Sequence, residues 1–360
     1  MDGLLARRSA KYSTYPPDVL PAWVAEMDFD LAPPVKAALR AAIDNDDAGY
    51  LGADHGWLLS AFADFAARRL GWQVDVSQVV AVTDVMVGVE ELLAVLTASG
   101  DEVIVNPPIY PPYYADIAHA GRRVVTVPLL GDGALDLDGI DRAFSAGARA
   151  LLLCNPHNPT GRVLPLEELA RLRDVADAHD AWVISDEIHG PLAWDGYVPW
   201  LTVPGARGFT VTAASKAFNL AGLKLGLIVG EEVGRLPDAM HWRAGYLGAV
   251  GAEAGFRDGD AWLDDTLAVL KMNHALLPTL LPPSIRAVPA QASFLAWLDC
   301  RETGLGDDPA AVFLERGRVA LSSGPAFGTG GAGHARLNLG TSPALITEAV
   351  RRLSSSTPPE

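Results

Sequence analysis

Cysteine is scarce in this sequence, which contains only Cys154 and Cys300 among 360 residues. The two stand far apart, and neither belongs to a C-x-x-C pair. This spacing argues against a disulfide framework and against a cysteine-based zinc site. Cys154 ends an apolar run, so we expect it to be a small buried hydrophobic residue rather than a nucleophile.

Long apolar runs are also missing. No run approaches the ~20 residues that a helix needs to cross a bilayer. The first 30 residues mix arginine, tryptophan, proline and acidic residues, and they lack the apolar centre of a secretion signal. We therefore expect a cytoplasmic protein that does not bind membranes.

Basic residues are in the minority, because 28 lysines and arginines face 44 acidic residues and give a formal net charge of −16. An acidic surface repels the phosphate backbone of nucleic acids, so nucleic-acid binding is not expected. A local basic pocket for one small anion remains compatible with this charge.

The middle of the chain alternates short apolar runs with amphipathic helical patterns such as Val87–Thr97 and Leu166–His179. Most of the runs are continuously apolar, which is typical of strands covered by helices on both faces. This rhythm predicts an α/β domain with a mostly parallel, seven-stranded sheet. The predicted strands are Gln78–Val82, Glu102–Asn106, Arg123–Val127, Ala150–Cys154, Ala181–Ser185, Phe209–Ala213 and Leu225–Val229.

The two flanks differ from the middle and predict a smaller α+β domain built from both ends of the chain. A length of 360 residues favours two domains. We predict residues 1–45 and 271–360 for the small domain and residues 46–270 for the large one. The predicted flanking elements are helices Pro33–Ile43 and Asp260–Leu281, strand Ser293–Leu298, helix Pro309–Arg316, the glycine-rich loop Gly324–Gly333 and helix Pro343–Leu353.

Four stretches carry unusual polar content. Three of them directly follow predicted strands, where ligands bind in open α/β sheets. The fourth lies on a predicted strand of the small domain. The stretches are Asn155–Gly161, Ser185–His189, Ala214–Gly222 and Ala335–Gly340.

Each stretch taken alone has a plain structural alternative. Asn155–Gly161 can be a simple turn before a helix, and Asp186 can cap a helix or pair with an arginine. Lys216 can form a buried ion pair, or it can be a desolvated amine with a lowered pKa that acts as a nucleophile. Arg336 can bind a carboxylate with its planar fork, or it can form a surface salt bridge.

Together the stretches are specific, because the order Asn, Asp, Lys, Arg in these surroundings resembles the fold-type I pyridoxal-phosphate enzymes, the aspartate aminotransferase superfamily. Within it the chain resembles the MalY/PatB branch of cystathionine β-lyase-like carbon–sulfur lyases, from about Tyr15 to Arg352. The resemblance implies the pyridoxal-phosphate-dependent transferase-like fold. Its motifs are WVAEMDF (23–29), NPHNPTG (155–161), DEIH (186–189), SKAFNLAG (215–222), FLAWLD (294–299) and RLN (336–338).

The resemblance implies roles for residues around the cofactor ring. Lys216 is expected to hold pyridoxal phosphate as a Schiff base and then to move the Cα proton of the substrate. Asp186 is expected to pair with the ring nitrogen and keep it protonated. Asn158 is expected to donate to the ring 3′-oxygen, and His189 occupies the position near that oxygen where many relatives have a tyrosine. Tyr110 is expected to stack on the ring.

The resemblance also implies how the substrate is held. Arg336 is expected to bind the substrate carboxylate, and the backbone near Ala25 and Glu26 is expected to close over it. Tyr110 and Asn158 are expected to contact the substrate as well as the cofactor.

The cofactor phosphate has its own expected ligands. The segment Thr83–Gly88 joins a strand to a helix, so the amides of Val85 and Met86 can bind phosphate at a helix N-terminus. Ser215 and Lys224 are expected to add a hydroxyl group and a charge. Tyr50 resembles the tyrosine that reaches the phosphate of a neighbouring subunit, which implies a homodimer with shared sites. The alternative is that Tyr50 is an aromatic residue of a turn and packs within its own subunit.

Three positions near the phosphate depart from the family or carry an unexpected charge. Val85 stands where relatives often have glycine, which is harmless if only backbone amides are used. Ala213 stands where relatives often have serine, and this removes one hydroxyl group from the phosphate site. Asp84 is expected to cap a helix rather than bind the ligand.

The function implied by the resemblance is β-elimination from cystathionine or a cysteine S-conjugate, giving a thiol, pyruvate and ammonia. An aminotransferase acting on a small amino acid is the alternative, since it shares the early steps. A regulatory or scaffold protein that kept the fold and lost the chemistry is a third possibility. The presence of Lys216 argues against it.

Overall fold

The computed structural model describes residues 2–357 of the chain. Met1 and residues 358–360, which belong to the predicted domain ranges, lie outside the described residues. The helices are α1 Asp2–Leu5, α2 Ala10–Ser13, α3 Pro33–Asp44, α4 Gly56–Leu70, α5 Val85–Leu96, α6 Pro112–His119, α7 Leu137–Ser145, α8 Leu166–Ala178, α9 Ala214–Ala217, α10 Tyr246–Asp258, α11 Asp260–Leu280, α12 Pro309–Gly317 and α13 Pro343–Ser354. The strands are β1 Leu20–Pro21, β2 Val79–Val82, β3 Glu102–Val105, β4 Arg123–Thr126, β5 Ala150–Cys154, β6 Trp182–Asp186, β7 Phe209–Thr212, β8 Gly226–Val229, β9 Arg286–Ala287, β10 Leu295–Asp299, β11 Val319–Ala320, β12 Ser322–Ser323 and β13 His334–Asn338.

A seven-stranded sheet forms the centre of the large domain, with the strand order β2-β8-β7-β6-β5-β3-β4. The strands β5, β7 and β8 are buried at every position because helices cover both faces of the sheet. Strand β8 runs antiparallel to both of its neighbours, whereas the other neighbouring pairs are parallel. The predicted mostly parallel, seven-stranded sheet is confirmed.

The carboxyl ends of three neighbouring strands bring the polar stretches of the sequence together. Asn155 follows β5, Asp186 ends β6, and Lys216 lies in the short helix α9 directly after β7. Cys154 and Asp186 pair in the register of β5 and β6, and Asp186 pairs in turn with Val211 of β7. Because of this register, the side chains that follow the three strands lie close together at one edge of the sheet.

The smaller domain is built from both ends of the chain, as predicted. Its sheet has the order β12-β13-β10-β9 and is antiparallel, and it carries Arg336 and Asn338 on β13. The N-terminal strand β1 pairs in parallel with β11, so Leu20 faces Val319. Residues near the two ends therefore share one hydrophobic core, which includes Ala22 and Leu337.

Helices α3 and α4 both pack against α10, and Val35 of α3 belongs to the same hydrophobic cluster as Phe62 of α4. The predicted boundaries at residues 45 and 270 remain a proposal. Helix α3 lies before residue 45, within the range predicted for the small domain, but it packs against α10 of the large domain. The long helix α11 follows α10 after Gly259 and leads into the small domain. No described helix combines the length and the apolar character that crossing a membrane requires.

Candidate active site

A cavity of about 300 Å³ opens at the carboxyl ends of β5, β6 and β7. It collects most of the residues that the sequence predicted to bind a cofactor or substrate, although these are spread over nearly 200 positions of the chain. Tyr50 does not line it, and Arg336 reaches its edge through Asn158. The lining residues are Ala25, Asp84, Val85, Met86, Tyr110, Cys154, Asn158, Asp186, Ile188, His189, Ala213, Ser215, Lys216, Ala221, Lys224 and Leu225.

Lys216 extends from α9 into this cavity, and its Nζ donates to the carbonyl oxygen of Ala25 at 3.0 Å. Burial, together with the nearby positive charge of Arg336, lowers the pKa of Lys216 to about 8. A lysine of this kind is partly neutral near physiological pH, so its amine can act as a nucleophile or accept a proton. The geometry thus favours the reactive alternative over a structural ion pair.

Asp186 is buried at the end of β6 and faces the same cavity. Its Oδ2 accepts a hydrogen bond from the Tyr113 hydroxyl at 2.7 Å, and its Oδ1 accepts one from the Ile188 amide at 3.1 Å. Burial raises the pKa of Asp186, and the two donors oppose that rise by stabilising the carboxylate. Among the described residues no basic side chain forms a salt bridge with this carboxylate, so it is suited to a cationic group in the cavity.

The imidazole ring of His189 lines the cavity. Burial, together with the positive charges of Lys216 and Arg336, lowers its pKa to about 3, so the ring is neutral. Its Nδ1 is buried without a hydrogen-bond partner in the described part of the chain. A buried polar atom without a partner is costly, and here it lies beside a cavity that can hold a ligand.

Arg336 is only 5% exposed, which contradicts the alternative of a surface salt bridge. Its Nη1 donates to Asn158 Oδ1 at 2.9 Å, while its Nη2 donates to the Trp23 carbonyl and to Ser322 Oγ, both at 3.1 Å. Burial lowers the pKa of Arg336 to about 10, because no described acidic residue forms a salt bridge with it. A buried guanidinium without a carboxylate partner is a strong binding site for an anionic ligand.

The opposite end of the cavity lies at the N-terminus of helix α5. Asp84 caps this helix as predicted, since its Oδ1 accepts from the Val87 amide at 3.0 Å. Its Oδ2 also pairs with Lys224 Nζ at 2.9 Å. Val85, Met86 and Ser215 line the same region, so backbone amides, a hydroxyl group and an ammonium group converge where an anion is favoured by the helix dipole.

Tyr50 lies apart from the cavity of its own chain. Its side chain is 81% exposed and meets the ring of Trp242 edge-on, with the ring centroids 6.1 Å apart. Trp242 is itself 50% exposed. The tyrosine is therefore not packed into the interior of its own subunit.

The two remaining reactive-looking groups near the site are buried and paired. Burial raises the pKa of Cys154 to about 12, which suits the predicted hydrophobic role and not a nucleophile. His157 is held by Asn106 and Thr160 through its two ring nitrogens, at 3.2 Å each, and burial lowers its pKa to about 4. Both groups support the turn that carries Asn158.

Sequence reasoning missed two side chains that support the site from behind. Tyr113 was hidden in a run of proline and tyrosine, although it is the direct donor to Asp186. Glu187 is fully buried and accepts from Ser185 Oγ at 2.8 Å, Tyr197 OH at 2.6 Å and the Trp200 amide at 2.7 Å. The DEIH motif contains Glu187, but nothing in the motif indicates which distant donors surround it.

Comparison with known proteins places the chain in a large group of relatives. The family model described as "Aminotransferase class I and II" matches residues 24–353. A Mycobacterium tuberculosis protein that carries the provisional name cystathionine beta-lyase is 44% identical over 97% of this chain and 95% of its own length. The cystathionine beta-lyase of Corynebacterium glutamicum is 34% identical over 99% of this chain and 98% of its own length.

A solved structure shares the whole architecture. It is the crystal structure of a Corynebacterium diphtheriae protein provisionally named a PLP-dependent beta-cystathionase. It superposes with a TM-score of 0.90, is 36% identical, and the match covers 99% of this chain and 97% of that one.

Proposed function

This chain belongs to the class I and II aminotransferase family, and from that premise we propose that it is a pyridoxal-phosphate-dependent carbon–sulfur β-lyase. Its substrate is cystathionine or a cysteine S-conjugate. The Cα–H and Cβ–S bonds of the substrate break, the thiolate takes up a proton, and water then releases pyruvate and ammonia. Relatives that are 44% and 34% identical carry names for this activity, which supports the lyase over other reactions of the family.

The observation that carries the proposal is that Lys216 lines the cavity while Arg336 lies at its edge, bonded to Asn158. Arg336 is a buried cation that forms no salt bridge with any described residue, so it is suited to the carboxylate of an amino acid. Lys216 has a pKa of about 8 and is therefore available to accept a proton near neutral pH. An amino-acid carboxylate held by Arg336 brings the substrate Cα toward this lysine.

The residues present fit pyridoxal phosphate. The Asp186 carboxylate, which forms no salt bridge with a described residue, and the unpartnered Nδ1 of His189 both border the cavity. The N-terminus of α5 with Lys224 is suited to a phosphate. When bound, this cofactor supplies an aldehyde that joins amino groups and a ring that withdraws electrons from the substrate Cα.

The side chains of this chain then have distinct tasks. Lys216 would hold the cofactor through its side-chain amine and, once freed by the substrate, would take the Cα proton. Asp186 would keep a proton at the ring nitrogen, and Tyr113 keeps the carboxylate oriented for this. Asn158 has its oxygen engaged by Arg336, which leaves its NH₂ group available to donate to the ring oxygen. Tyr110, which lines the cavity, would cover the ring and help to exclude water.

Product analysis with the purified protein tests this proposal. Cystathionine and a panel of cysteine S-conjugates should each be incubated with pyridoxal phosphate but without any keto acid. We expect pyruvate, ammonia and the free thiol in equal amounts, and a Lys216→Ala variant should form none of them. Amino transfer that requires an added keto acid and yields no pyruvate would overturn the lyase proposal in favour of an aminotransferase.

We also propose that the protein acts as a homodimer with shared active sites. Tyr50 and its neighbour Trp242 form an exposed aromatic patch, and Tyr50 contributes nothing to the cavity of its own chain. An exposed aromatic pair of this kind is favourable when another subunit covers it. In the resembled family the matching tyrosine reaches the phosphate of the neighbouring subunit.

Mixing two inactive variants tests the shared site. A hybrid of a Lys216→Ala chain and a Tyr50→Ala chain contains one site with both residues intact and one site that lacks both. Random mixing should therefore restore about a quarter of the wild-type activity, although each variant alone is impaired. A mixture without recovery, or a wild-type protein that is fully active as a monomer, would refute the shared site.

A further inference from the structure

Residues 23–29, which we term the wall segment, include Ala25, which lines the active-site cavity. Two groups of the proposed site already hold its backbone, because Lys216 Nζ donates to the Ala25 carbonyl at 3.0 Å and Arg336 Nη2 donates to the Trp23 carbonyl at 3.1 Å. Asn338 adds donors to the carbonyls of Val24 and Glu26, each at 2.6 Å. Side chains of the proposed site and of strand β13 therefore hold the inner face of the wall segment through its carbonyl groups.

The same segment is anchored from its outer face by the N-terminal part of the chain. Lys11 is only 2% exposed, and its Nζ forms an ion pair with Asp28 Oδ1 at 2.7 Å. The same Nζ donates to the Glu26 carbonyl at 3.1 Å. Tyr12 OH donates to Asp28 Oδ1 at 2.5 Å, and Arg7 Nη2 donates to the Asp28 carbonyl at 3.0 Å.

Lys11 and Lys216 therefore hold adjacent carbonyl groups of one short stretch from opposite sides. Lys216 binds the carbonyl of Ala25, and Lys11 binds that of Glu26. The Ala25 carbonyl belongs to the Ala25–Glu26 peptide group and the Glu26 carbonyl to the Glu26–Met27 peptide group, and each group rotates as one rigid unit. The two lysines thus fix the peptide groups on either side of the Glu26 Cα. The placement of this stretch beside the cavity therefore depends on the buried Lys11 as well as on Lys216.

A purely structural ion pair is the alternative, and its cost makes it the weaker explanation. Burial lowers the pKa of Lys11, with Asp28 opposing the effect, so the ammonium group is held away from water at a penalty. An apolar pair of similar size would fill the same space at no such penalty. What an apolar pair could not do is donate to the Glu26 carbonyl.

We propose that Lys11 is a positioning residue: its pairing with Asp28 and its bond to the Glu26 carbonyl hold the wall segment where the Trp23 carbonyl accepts from Arg336, and so orient Arg336 for the substrate carboxylate. This rests on the proposed function, since it assumes an amino-acid substrate bound by Arg336. Lys11 touches neither Lys216 nor Arg336 and acts through the backbone of the wall segment. Its loss should weaken binding of the carboxylate more than it slows the bond-breaking step.

The experiment compares Lys11→Met, Lys11→Arg and a matched control, Asp18→Asn. Asp18 lies in the same N-terminal part and forms an exposed ion pair with Arg318, so its change removes an anchor that does not touch the wall segment. The holoenzyme variants should be assayed for kcat and KM. Binding of 3-(methylthio)propionate, a carboxylate that lacks the amino group and cannot react, should be measured by calorimetry.

We expect Lys11→Met to raise KM and the dissociation constant of the analogue by about tenfold, the effect of losing one charge-assisted hydrogen bond, while kcat stays within about threefold. Lys11→Arg should recover part of this loss, and Asp18→Asn should match the wild type. Wild-type KM and wild-type analogue affinity in Lys11→Met would overturn the proposal.

A second variant separates positioning from a general loss of folding. Lys11→Met leaves the Asp28 carboxylate buried without a cation, so the double variant Lys11→Met/Asp28→Asn removes that charge while Tyr12 keeps an acceptor. The same rise in KM in a double variant of normal melting temperature supports the proposal, and a wild-type KM would overturn it. A wild-type protein that binds the analogue but releases no pyruvate counts against the proposed reaction alone, because the analogue affinities still test Lys11.

Discussion

Replacing Glu187 by glutamine should remove a pH-dependent part of the stability of this protein. The Glu187 carboxyl group is fully buried and is surrounded by three donors, from Ser185, Tyr197 and the Trp200 amide. Burial raises its pKa from 4.5 to about 7, although the three donors favour the charged form. The desolvation cost therefore outweighs the hydrogen bonds.

The sign of the effect follows from proton binding. Between pH 4.5 and about 7 the folded protein keeps this carboxyl group protonated, whereas the unfolded chain has already lost the proton. The stability that the protonated Glu187 contributes is fully present below pH 4.5 and is lost as the pH rises through 7. A shift of this size corresponds to about 3 kcal/mol of unfolding free energy.

Glutamine reproduces the neutral form at all pH values. Its carbonyl can accept from Ser185 and Trp200 as Oε1 does now, and its NH₂ group can donate to the Tyr197 oxygen, whose hydroxyl hydrogen can rotate away. Glu187→Gln should therefore fold like the wild type at low pH and become the more stable protein as the pH rises.

Urea unfolding from about pH 5 to pH 8 measures this difference. The unfolding free energy of Glu187→Gln minus that of the wild type should grow by about 3 kcal/mol across the range. The buried His157, His189 and His274, whose lowered pKa values give the opposite slope, cancel in this difference because both proteins contain them. The exposed Glu302→Gln should stay within about 0.5 kcal/mol of the wild type. Parallel curves for Glu187→Gln and the wild type would refute the reasoning.

Three further outcomes are expected. The apoprotein should bind pyridoxal phosphate covalently at a rate that rises about tenfold per pH unit up to pH 8 and then levels off, because the pKa of Lys216 is lowered to about 8. Stopped-flow absorbance measures this rate, and a rate independent of pH would contradict the assignment of Lys216. Asp186→Ala should retain cofactor but lose about a hundredfold in kcat, roughly 3 kcal/mol, and near-normal turnover would make this residue merely structural. Tyr113→Phe removes a donor to the same carboxylate and should lower kcat/KM about tenfold with a steeper loss at low pH, whereas an unchanged pH profile would show that the hydroxyl does not tune Asp186.

The strands of the large sheet could be predicted because a strand that is buried on both faces consists of consecutive apolar residues. Continuous apolar runs such as Ala150–Cys154 coincide with strands, and the other predicted strands begin or end within one residue or so of the observed ones. The antiparallel direction of β8 could not be predicted in this way. A strand that is buried on both faces reads the same in either direction, so only its pairing with β2 and β7 shows how it runs.

Some residues of the candidate site could likewise be identified from the local sequence, whereas others depend on contacts that are distant in the sequence. Asp186 and Lys216 could be singled out because each directly follows a strand, where side chains converge. Tyr113 and Lys11 could not, since their partners lie 73 and 17 positions away and depend on how the elements pack. The burial of Arg336 belongs to the second group, because its strand alone permits either a surface salt bridge or a buried fork.

The pairing of the two chain ends has a consequence for the time course of biosynthesis. Residues 20–22 leave the ribosome early, but their backbone partners are Arg318, Ala320 and Asn338, some 300 positions later. At translation rates of about 5–20 residues per second, the N-terminal part waits about 15 to 60 seconds for them. During that interval the nascent chain already contains Lys216 but neither Arg336 nor a fixed wall segment. We therefore expect a chain that stops short of residue 319 to keep the reactive lysine without the groups that select its substrate, and to expose Trp23 and Met27 to chaperones and proteases.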